Sequence, residues 1–178
     1  MARRLPNILI TGTPGTGKST TARMLQERAA TMRHVEIGAL VKEKQLHHGW
    51  DEEYETYILD EDLICDAIED QMEAGGVIVD YHGADLFPER WFDLVIVLRT
   101  DNSILYRRLE NRGYAQKKLT ENVDAEIMQV VLDEVKEAYR EEVVVELRSE
   151  SIEDLESNIQ RAVQWINQWC TSNAGVAS

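Results

Sequence analysis

The sequence predicts a three-layer α/β fold, in which helices cover both faces of a parallel β-sheet. Five short apolar runs are typical of strands buried on both faces, and helix-like stretches separate them. Parallel strands connected in this way require right-handed helical crossovers. The predicted strands are Asn7–Thr11, His34–Ile37, Val77–Asp80, Leu94–Arg99 and Val143–Leu147.

The stretches between these runs have the apolar patterns and end signals of helices. In Asp60–Ala74 an apolar stripe ends at a pair of glycines, which is a helix stop signal. Ser151 and Asp154 match a capping box before an amphipathic final helix. Residues 1–170 are predicted to form one domain, and the small residues of 171–178 a flexible tail. The other predicted helices are Arg23–Ala30, Asn102–Arg112 and Val123–Arg140.

The composition excludes several classes of function. The 178 residues include 33 acidic and 19 basic side chains, so the formal net charge is −14. This balance disfavours direct nucleic-acid binding, which depends on clustered cations, and favours basic partners or simply solubility. No apolar stretch reaches the length of a membrane span, and Ile8–Ile10 is too short for a signal peptide. Cys65 and Cys170 lie far apart and are predicted to be free thiols of an intracellular protein.

The strongest motif is a phosphate-binding loop between the first strand and the first helix. Residues 12–19 match G-x-x-x-x-G-K-[ST] in full. Glycines let the backbone N–H groups turn inward around phosphates, Lys18 reaches the β- and γ-phosphates, and the Ser19 hydroxyl is placed to bind Mg²⁺. The predicted ATP-binding residues are Gly12, Thr13, Pro14, Gly15, Thr16, Gly17, Lys18, Ser19 and Thr20, with Arg108 and Arg112 from a later helix.

The last residue of the third predicted strand and a histidine just beyond it complete the predicted catalytic centre. Asp80 ends an apolar strand, so its carboxylate should emerge at the carboxyl-terminal edge of the sheet and hold Mg²⁺ with Ser19. His82 follows two positions later, where its imidazole can orient a water molecule or a phosphoryl acceptor. The alternative is an exposed loop histidine without a role.

Arginines near the end of the fourth predicted helix suggest a further cationic element. Arg108 and Arg112 share one helix face and suit stacking on a base or clamping the transferred phosphate. The alternative is a solvated basic helix end. The polar stretch Gly113–Leu119 is predicted to be a short loop that closes over the nucleotide and excludes water.

Two other features have a structural and a functional interpretation. Trp165 and Trp169 share a face of the last helix, where they either cover the sheet or receive a partner helix. The acidic stretches Asp51–Glu53 and Asp60–Asp62 suit a basic partner or a metal, although the second also suits a helix N-terminus.

The motifs together resemble those of the nucleoside monophosphate kinases, and more closely those of the adenylate kinase isoenzyme 6 family. The resemblance covers nearly the whole chain. The segments that carry it are the phosphate-binding loop with the preceding Pro6–Leu9, Asp51–Tyr54, Ile58–Asp62, Gly75–Gly83, Phe87–Phe92 and Leu119–Asn122.

This resemblance implies a P-loop nucleoside monophosphate kinase fold with a five-stranded parallel sheet. It places an acceptor-nucleotide region at about 36–59, with Gly38, Lys42 and Arg90 as acceptor residues, and a short lid at about 111–121. Lys42 stands where ordinary adenylate kinases have arginine, so the bidentate fork that orients a phosphate is missing.

The expected function is Mg²⁺-dependent transfer of the ATP γ-phosphoryl group to AMP or a related monophosphate, with ATP hydrolysis in addition. Lys18, Asp80, His82 and Arg112 are the predicted catalytic residues. The family further implies a role in small ribosomal subunit assembly, a basic ribosomal protein as partner, and a location in nucleus and cytoplasm. Two alternatives stay open: a nucleotide-switched assembly chaperone, and a kinase for another small acceptor.

Overall fold

The computed structural model describes residues 3–174, and a five-stranded sheet lies at its centre. The strand order is β2-β5-β1-β6-β7, and every neighbouring pair is parallel. The predicted α/β class and the five parallel strands are therefore confirmed. The five strands are β1 (Ile8–Thr11), β2 (Arg33–Glu36), β5 (Val77–Asp80), β6 (Leu94–Arg99) and β7 (Val144–Arg148), and a separate antiparallel hairpin consists of β3 (His47–Asp51) and β4 (Thr56–Leu59).

Helices connect the strands and cover both faces of the sheet. Short 3-10 turns at Glu89–Trp91 and Glu141–Val143 precede β6 and β7. The helices are α1 (Lys18–Arg28), α2 (Ile37–Lys44), α3 (Glu61–Ala74), α4 (Asn102–Asn111), α5 (Gln116–Ile127), α6 (Val130–Ala138) and α7 (Ile152–Asn173).

The structure corrects three parts of the predicted element map. The β3–β4 hairpin and α2 were not predicted as separate elements. The stretch Gly113–Leu119, predicted as a loop, is helical from Gln116. The predicted helix 123–140 is broken into α5 and α6 at Gln129, which has a φ of 60°.

The final helix is longer than predicted. It extends through Asn173, so the predicted tail boundary at Thr171 falls inside α7. The last part of that predicted tail, 175–178, lies outside the described residues.

Alternating side chains of the strands pack into one hydrophobic core on each face of the sheet. Leu9 and Val79 face a core that includes α2, α3 and α6, whereas Ile8 and Ile10 face a core formed with α1 and α7. Trp165 packs against the second core, in agreement with the structural interpretation of that residue. This arrangement produces three layers: helices, sheet and helices.

The strand register brings several chain segments to one edge of the sheet. Asp80 pairs with Ile10 on one side and with Glu36 on the other, so β1, β2 and β5 end together. The chain then turns sharply at Gly12, where an added Cβ would lie 2.7 Å from the carbonyl oxygen of Leu98. Only glycine fits this turn, which delivers the phosphate-binding loop to the carboxyl-terminal edge.

None of the helices within residues 3–174 combines the length and apolarity needed to cross a membrane. Cys65 and Cys170 are free thiols, as predicted.

Candidate active site

A cavity of about 250 Å³ lies at the carboxyl-terminal edge of the sheet, between the phosphate-binding loop, the end of β5 and the end of α4. The structure brings the four predicted catalytic residues together here, although they come from three separate segments. The lining residues are Pro14, Gly15, Gly17, Lys18, Ser19, Thr20, Glu36, Gly38, Asp80, Tyr81, His82, Arg112 and Tyr114.

Lys18 lies at the first turn of α1, with its ammonium group folded against the loop. Its Nζ donates hydrogen bonds to the carbonyl oxygens of Gly12 at 2.8 Å and Thr13 at 3.1 Å. Burial lowers the pKa of Lys18 to about 8, Arg112 acts in the same direction, and Asp80 and Glu126 oppose it. The cavity therefore contains a cation whose charge is less stable than in water, and an anion bound beside it would stabilise that charge.

The start of α1 is built to receive that anion. Gly17 caps the helix with a φ of 94° and supplies no side-chain hydrogen bond, and the first turn contains no acidic residue. The free N–H groups and the positive end of the helix dipole therefore face the cavity.

Ser19 and Asp80 supply the kinds of oxygen atom that Mg²⁺ binds, so their chemistry fits the predicted metal site. Asp80 is buried, and its Oδ2 lies 3.3 Å from Nε2 of His34 on the neighbouring strand. Within residues 3–174 no cluster of three or more His, Cys, Asp or Glu side chains could hold a metal alone. Mg²⁺ typically takes one or two carboxylates and completes its shell with phosphates and water.

His34 and Glu36 were not predicted to belong to this site. They approach Asp80 because β2 lies beside β5 in the sheet, with Glu36 opposite Asp80 in the register. Nothing local in the sequence distinguishes His34 from other histidines. Only a prediction that places β2 beside β5 in the sheet would have shown that His34 lies near Asp80.

His82 lies at the exposed mouth of the cavity. Its ring packs 4.4 Å from that of Tyr81, measured between centroids. Desolvation and then the neighbouring Lys18 ammonium lower the pKa of His82 below its ordinary 6.5. The lowered pKa favours the neutral imidazole, which is the form that can accept a proton.

The two predicted arginines have different environments. Arg108 donates to the carbonyl oxygens of Gly15 at 3.2 Å and Ser149 at 2.9 Å, so it braces the loop against the segment before α7. Burial, followed by Arg112, lowers the pKa of Arg108. Arg112 lines both the 250 Å³ cavity and an adjoining cavity of about 340 Å³, whose wall also includes Ser149 and Ile152.

A third cavity, of about 520 Å³, lies on the other side of the phosphate-binding loop. It shares Pro14, Tyr81, His82 and Tyr114 with the 250 Å³ cavity. The hairpin contributes Tyr54 and Thr56, and α5 contributes Lys118 and Asn122. Sequence reasoning missed Lys118, because it treated this stretch as a loop without assigning roles within it.

Of the three predicted acceptor residues, only Gly38 lines the 250 Å³ cavity. Lys42 lies one helical turn further along α2, exposed on the same face. The assignment of Arg90 is wrong. Arg90 lies in the turn before β6, at the amino-terminal edge of the sheet, where its carbonyl oxygen accepts from Arg3 and its guanidinium is 3.9 Å from Glu69.

Comparisons with known proteins show the family to which the chain belongs. A family model described as an AAA domain matches residues 8–129. The adenylate kinase isoenzyme 6 homolog of Dictyostelium discoideum is 56% identical over 171 residues, which cover 96% of this chain and 97% of the relative. The chain belongs to the adenylate kinase isoenzyme 6 family. The homolog of Schizosaccharomyces pombe, another member, is 50% identical over 94% of this chain and 95% of its own length.

A solved shikimate kinase from Bacteroides thetaiotaomicron shares the fold of this family member. The TM-score is 0.61 at 18% identity, over 92% of this chain and 99% of the other. The resemblance inferred from the motifs is thus confirmed, and family and fold together support nucleotide kinase activity.

Proposed function

We propose that the protein transfers the γ-phosphoryl group of Mg-ATP to AMP or a related nucleoside monophosphate, and that it also hydrolyses ATP. The observation that carries this proposal is the row of three adjoining cavities. The central one contains the phosphate-binding loop with Lys18 and Arg112, and we propose that the cavities on either side each hold one nucleotide.

Each part of the site has a separate role in the proposed reaction. The base of ATP occupies the 340 Å³ cavity beside Arg108, and its phosphates lie against Lys18 and the first turn of α1. Ser19 and Asp80 would hold Mg²⁺, which neutralises charge on the phosphates. A phosphate oxygen of the acceptor attacks the γ-phosphorus, the bond to the β–γ bridging oxygen breaks, and ADP leaves with that electron pair.

Arg112 is proposed to stabilise the transferring group, because it lines both the 250 Å³ cavity and the 340 Å³ cavity. Lys18 supports the same negative charge from within the loop. Burial is the largest cause of the lowered pKa of Lys18, and repulsion from Arg112 adds to it. Phosphate binding relieves this repulsion.

The acceptor is proposed to occupy the 520 Å³ cavity, with Gly38 and Lys42 at its approach from α2 and Lys118 on the opposite wall. We expect Lys42→Ala to raise the KM for AMP about threefold and to shift turnover towards hydrolysis. Lys44→Ala, on a different face of α2, serves as the matched control. Equal effects of the two changes would remove Lys42 from the acceptor site.

Hydrolysis is proposed to use His82, whose neutral imidazole accepts a proton from the attacking water. We expect His82→Gly to lower phosphate release about 10²-fold with little change in ATP affinity, as is typical of a positioned acid–base group. An unchanged rate of phosphate release would return His82 to the role of an exposed loop residue.

The product stoichiometry tests the proposal as a whole. Transfer to AMP converts one ATP and one AMP into two ADP without phosphate release, whereas hydrolysis yields one ADP and one phosphate. We expect both patterns, with AMP suppressing phosphate release as it occupies the acceptor cavity. If saturating AMP yields no ADP beyond that matched by phosphate, the kinase proposal fails.

A second candidate function is a nucleotide-dependent assembly factor for a basic protein of the small ribosomal subunit, acting in nucleus and cytoplasm. The hairpin favours it: Trp50 and Tyr54 are more than half exposed beside the acidic Glu52 and Glu53. We expect binding to such a protein to weaken with salt and with Glu52→Gln. Asp51 is left intact because it caps the turn through the amides of Glu53 and Tyr54.

A further inference from the structure

Glu126, near the end of α5, is a buried carboxylate with both oxygens occupied. It is 4% exposed. Its Oε1 accepts from Nε of Arg99 at 2.6 Å and from the amide of Thr100 at 3.2 Å, and its Oε2 accepts from Oγ1 of Thr13 at 2.6 Å. A buried charge is stable only when it is paired and hydrogen-bonded in this way. Arg99 and Thr100 thus fix the carboxylate, which in turn fixes Thr13.

Thr13 belongs to the phosphate-binding loop, at a position where the motif accepts any residue. It is 1% exposed. While its hydroxyl bonds to Glu126, its carbonyl oxygen accepts from Nζ of Lys18 at 3.1 Å and from Oγ1 of Thr16 at 2.8 Å. One residue therefore links α5 to the lysine that faces the phosphates.

We propose that Glu126 is a positioning residue, which holds the phosphate-binding loop in its receptive conformation through the Thr13 hydroxyl. The proposal rests on nucleotide phosphates being the ligand, as in the proposed function. An ordered loop binds the phosphates equally tightly in the ground state and in the transition state. Loss of the link should therefore weaken nucleotide binding more than it slows the chemical step.

Thr13→Val tests this directly, because it replaces the hydroxyl with a methyl group of similar size. We expect the Kd for ADP, measured by calorimetry, and the KM for ATP to rise about tenfold, with kcat changed less than threefold. Thr13→Ser keeps the hydroxyl and should restore both values to within twofold of the unmodified chain. Thr171→Val removes a hydroxyl that bonds within α7 and is the matched control.

If Glu126 had a purely structural role, kcat and the Kd for ADP would change in a different pattern. Lower stability reduces the active fraction, and with it kcat, while the Kd for ADP of folded molecules stays unchanged. Thermal unfolding is measured in parallel, with all assays well below the unfolding temperature. An affinity for ADP within twofold of the unmodified chain in Thr13→Val, or no rescue by Thr13→Ser, overturns the proposal.

A double-mutant cycle assigns the effect to the Glu126 link. Glu126→Gln retains an oxygen for Arg99 and Thr100, so it should fold even if larger changes do not. We expect the double variant Thr13→Val, Glu126→Gln to bind ADP no more than twofold more weakly than the worse single variant. Effects that multiply overturn the proposal. Failure of transfer to AMP leaves these ADP-binding measurements intact, so the two proposals fail separately.

Discussion

At the amino-terminal edge of the central sheet, Arg3 and Asn7 have hydrogen-bond partners. At the carboxyl-terminal edge, the 250 Å³ cavity contains two cations, Lys18 and Arg112, that no salt bridge within residues 3–174 pairs with a carboxylate. Arg3 donates to both carboxylate oxygens of Asp93 at 2.9 and 3.0 Å. Asn7 is fully buried, donates to the carbonyl oxygens of Met72 and Trp91, and accepts from the amide of Val77.

The opposite edge also contains a buried network, around Glu126, but the two cations of the 250 Å³ cavity lie outside it. Lys18 bonds only to carbonyl oxygens there, and within residues 3–174 no salt bridge pairs it or Arg112 with a carboxylate. The amino-terminal edge contributes bonds that stabilise the fold, whereas the proposed role of the cavity's cations is to bind phosphate. Mutations at the two edges should therefore have opposite effects. Those at the carboxyl-terminal edge should lower activity with little change in stability, and those at the amino-terminal edge should lower stability with little change in activity.

The largest expected effect is that of Lys18→Met at the carboxyl-terminal edge. Both transfer and hydrolysis should fall more than about 10³-fold, because both need the same cation on the β- and γ-phosphates. The unfolding temperature should stay equal or rise, since a buried charge is removed. Turnover within twofold of the unmodified enzyme, at unchanged circular dichroism, would contradict this role.

Asn7→Ala should have the next largest effect, and on stability. It leaves the carbonyl oxygen of Met72 and the amide of Val77 without this partner in a buried site, whereas the carbonyl oxygen of Trp91 keeps its bond from Arg3. The free energy of unfolding should therefore drop by about 3 kcal/mol. The KM for ATP should not change. Asn167→Ala, on the exposed surface of α7, is the control for denaturant titration.

A rise in pH should change activity and stability in opposite directions. Lys18 has a pKa of about 8, lowered from its ordinary 10.5, so kcat/KM for ATP should fall about tenfold per pH unit above that value. Between pH 8 and 10.5 the unfolded chain binds more protons at this site, and the contribution of Lys18 to stability rises with pH. An alkaline limit unchanged in Lys18→Arg would assign the titration to another group.

The smallest expected effect is that of Arg90→Ala. Its guanidinium is exposed at the amino-terminal edge, and its carboxylate neighbour Glu69 is 3.9 Å away and half-exposed. Pairs of this kind contribute about 0–1 kcal/mol. Steady-state kinetics should show a KM for AMP within twofold of that of the unmodified protein. A tenfold increase would bring Arg90 back into the acceptor site.

The phosphate-binding site was predictable because its chemistry is local. Glycine, lysine and serine at fixed spacing, between an apolar strand and a helix, define the backbone turn and the position of Lys18 at once. Asp80 and His82 followed from the rule that ligands bind beyond the carboxyl ends of parallel strands. The same rule would have excluded Arg90, because a residue just before a strand lies at the opposite edge.

The long-range contacts were not predictable in this way. His34 meets Asp80 only because β2 and β5 are neighbours, and Glu126 meets Thr13 across 113 positions. Glu126 also looked like an ordinary polar position of a helix, since a lone carboxylate gives no local sign of burial. The break at Gln129 was missed because an αL residue other than glycine leaves no compositional signal.

Helix α5 is a rigid element that is held at both of its ends. Its 12 residues make a rod about 18 Å long, and turns at Gly113 and Gln129 separate it from α4 and α6. Glu126 fixes one end to the phosphate-binding loop, while Lys118 near the other end donates to the carbonyl oxygen of Glu55 in the hairpin. Rotation by about 10° about the fixed end carries the far end about 3 Å, roughly the width of a water molecule. A small rotation at the Glu126 end would therefore open or close the hydrogen bond between Lys118 and Glu55 at the other end.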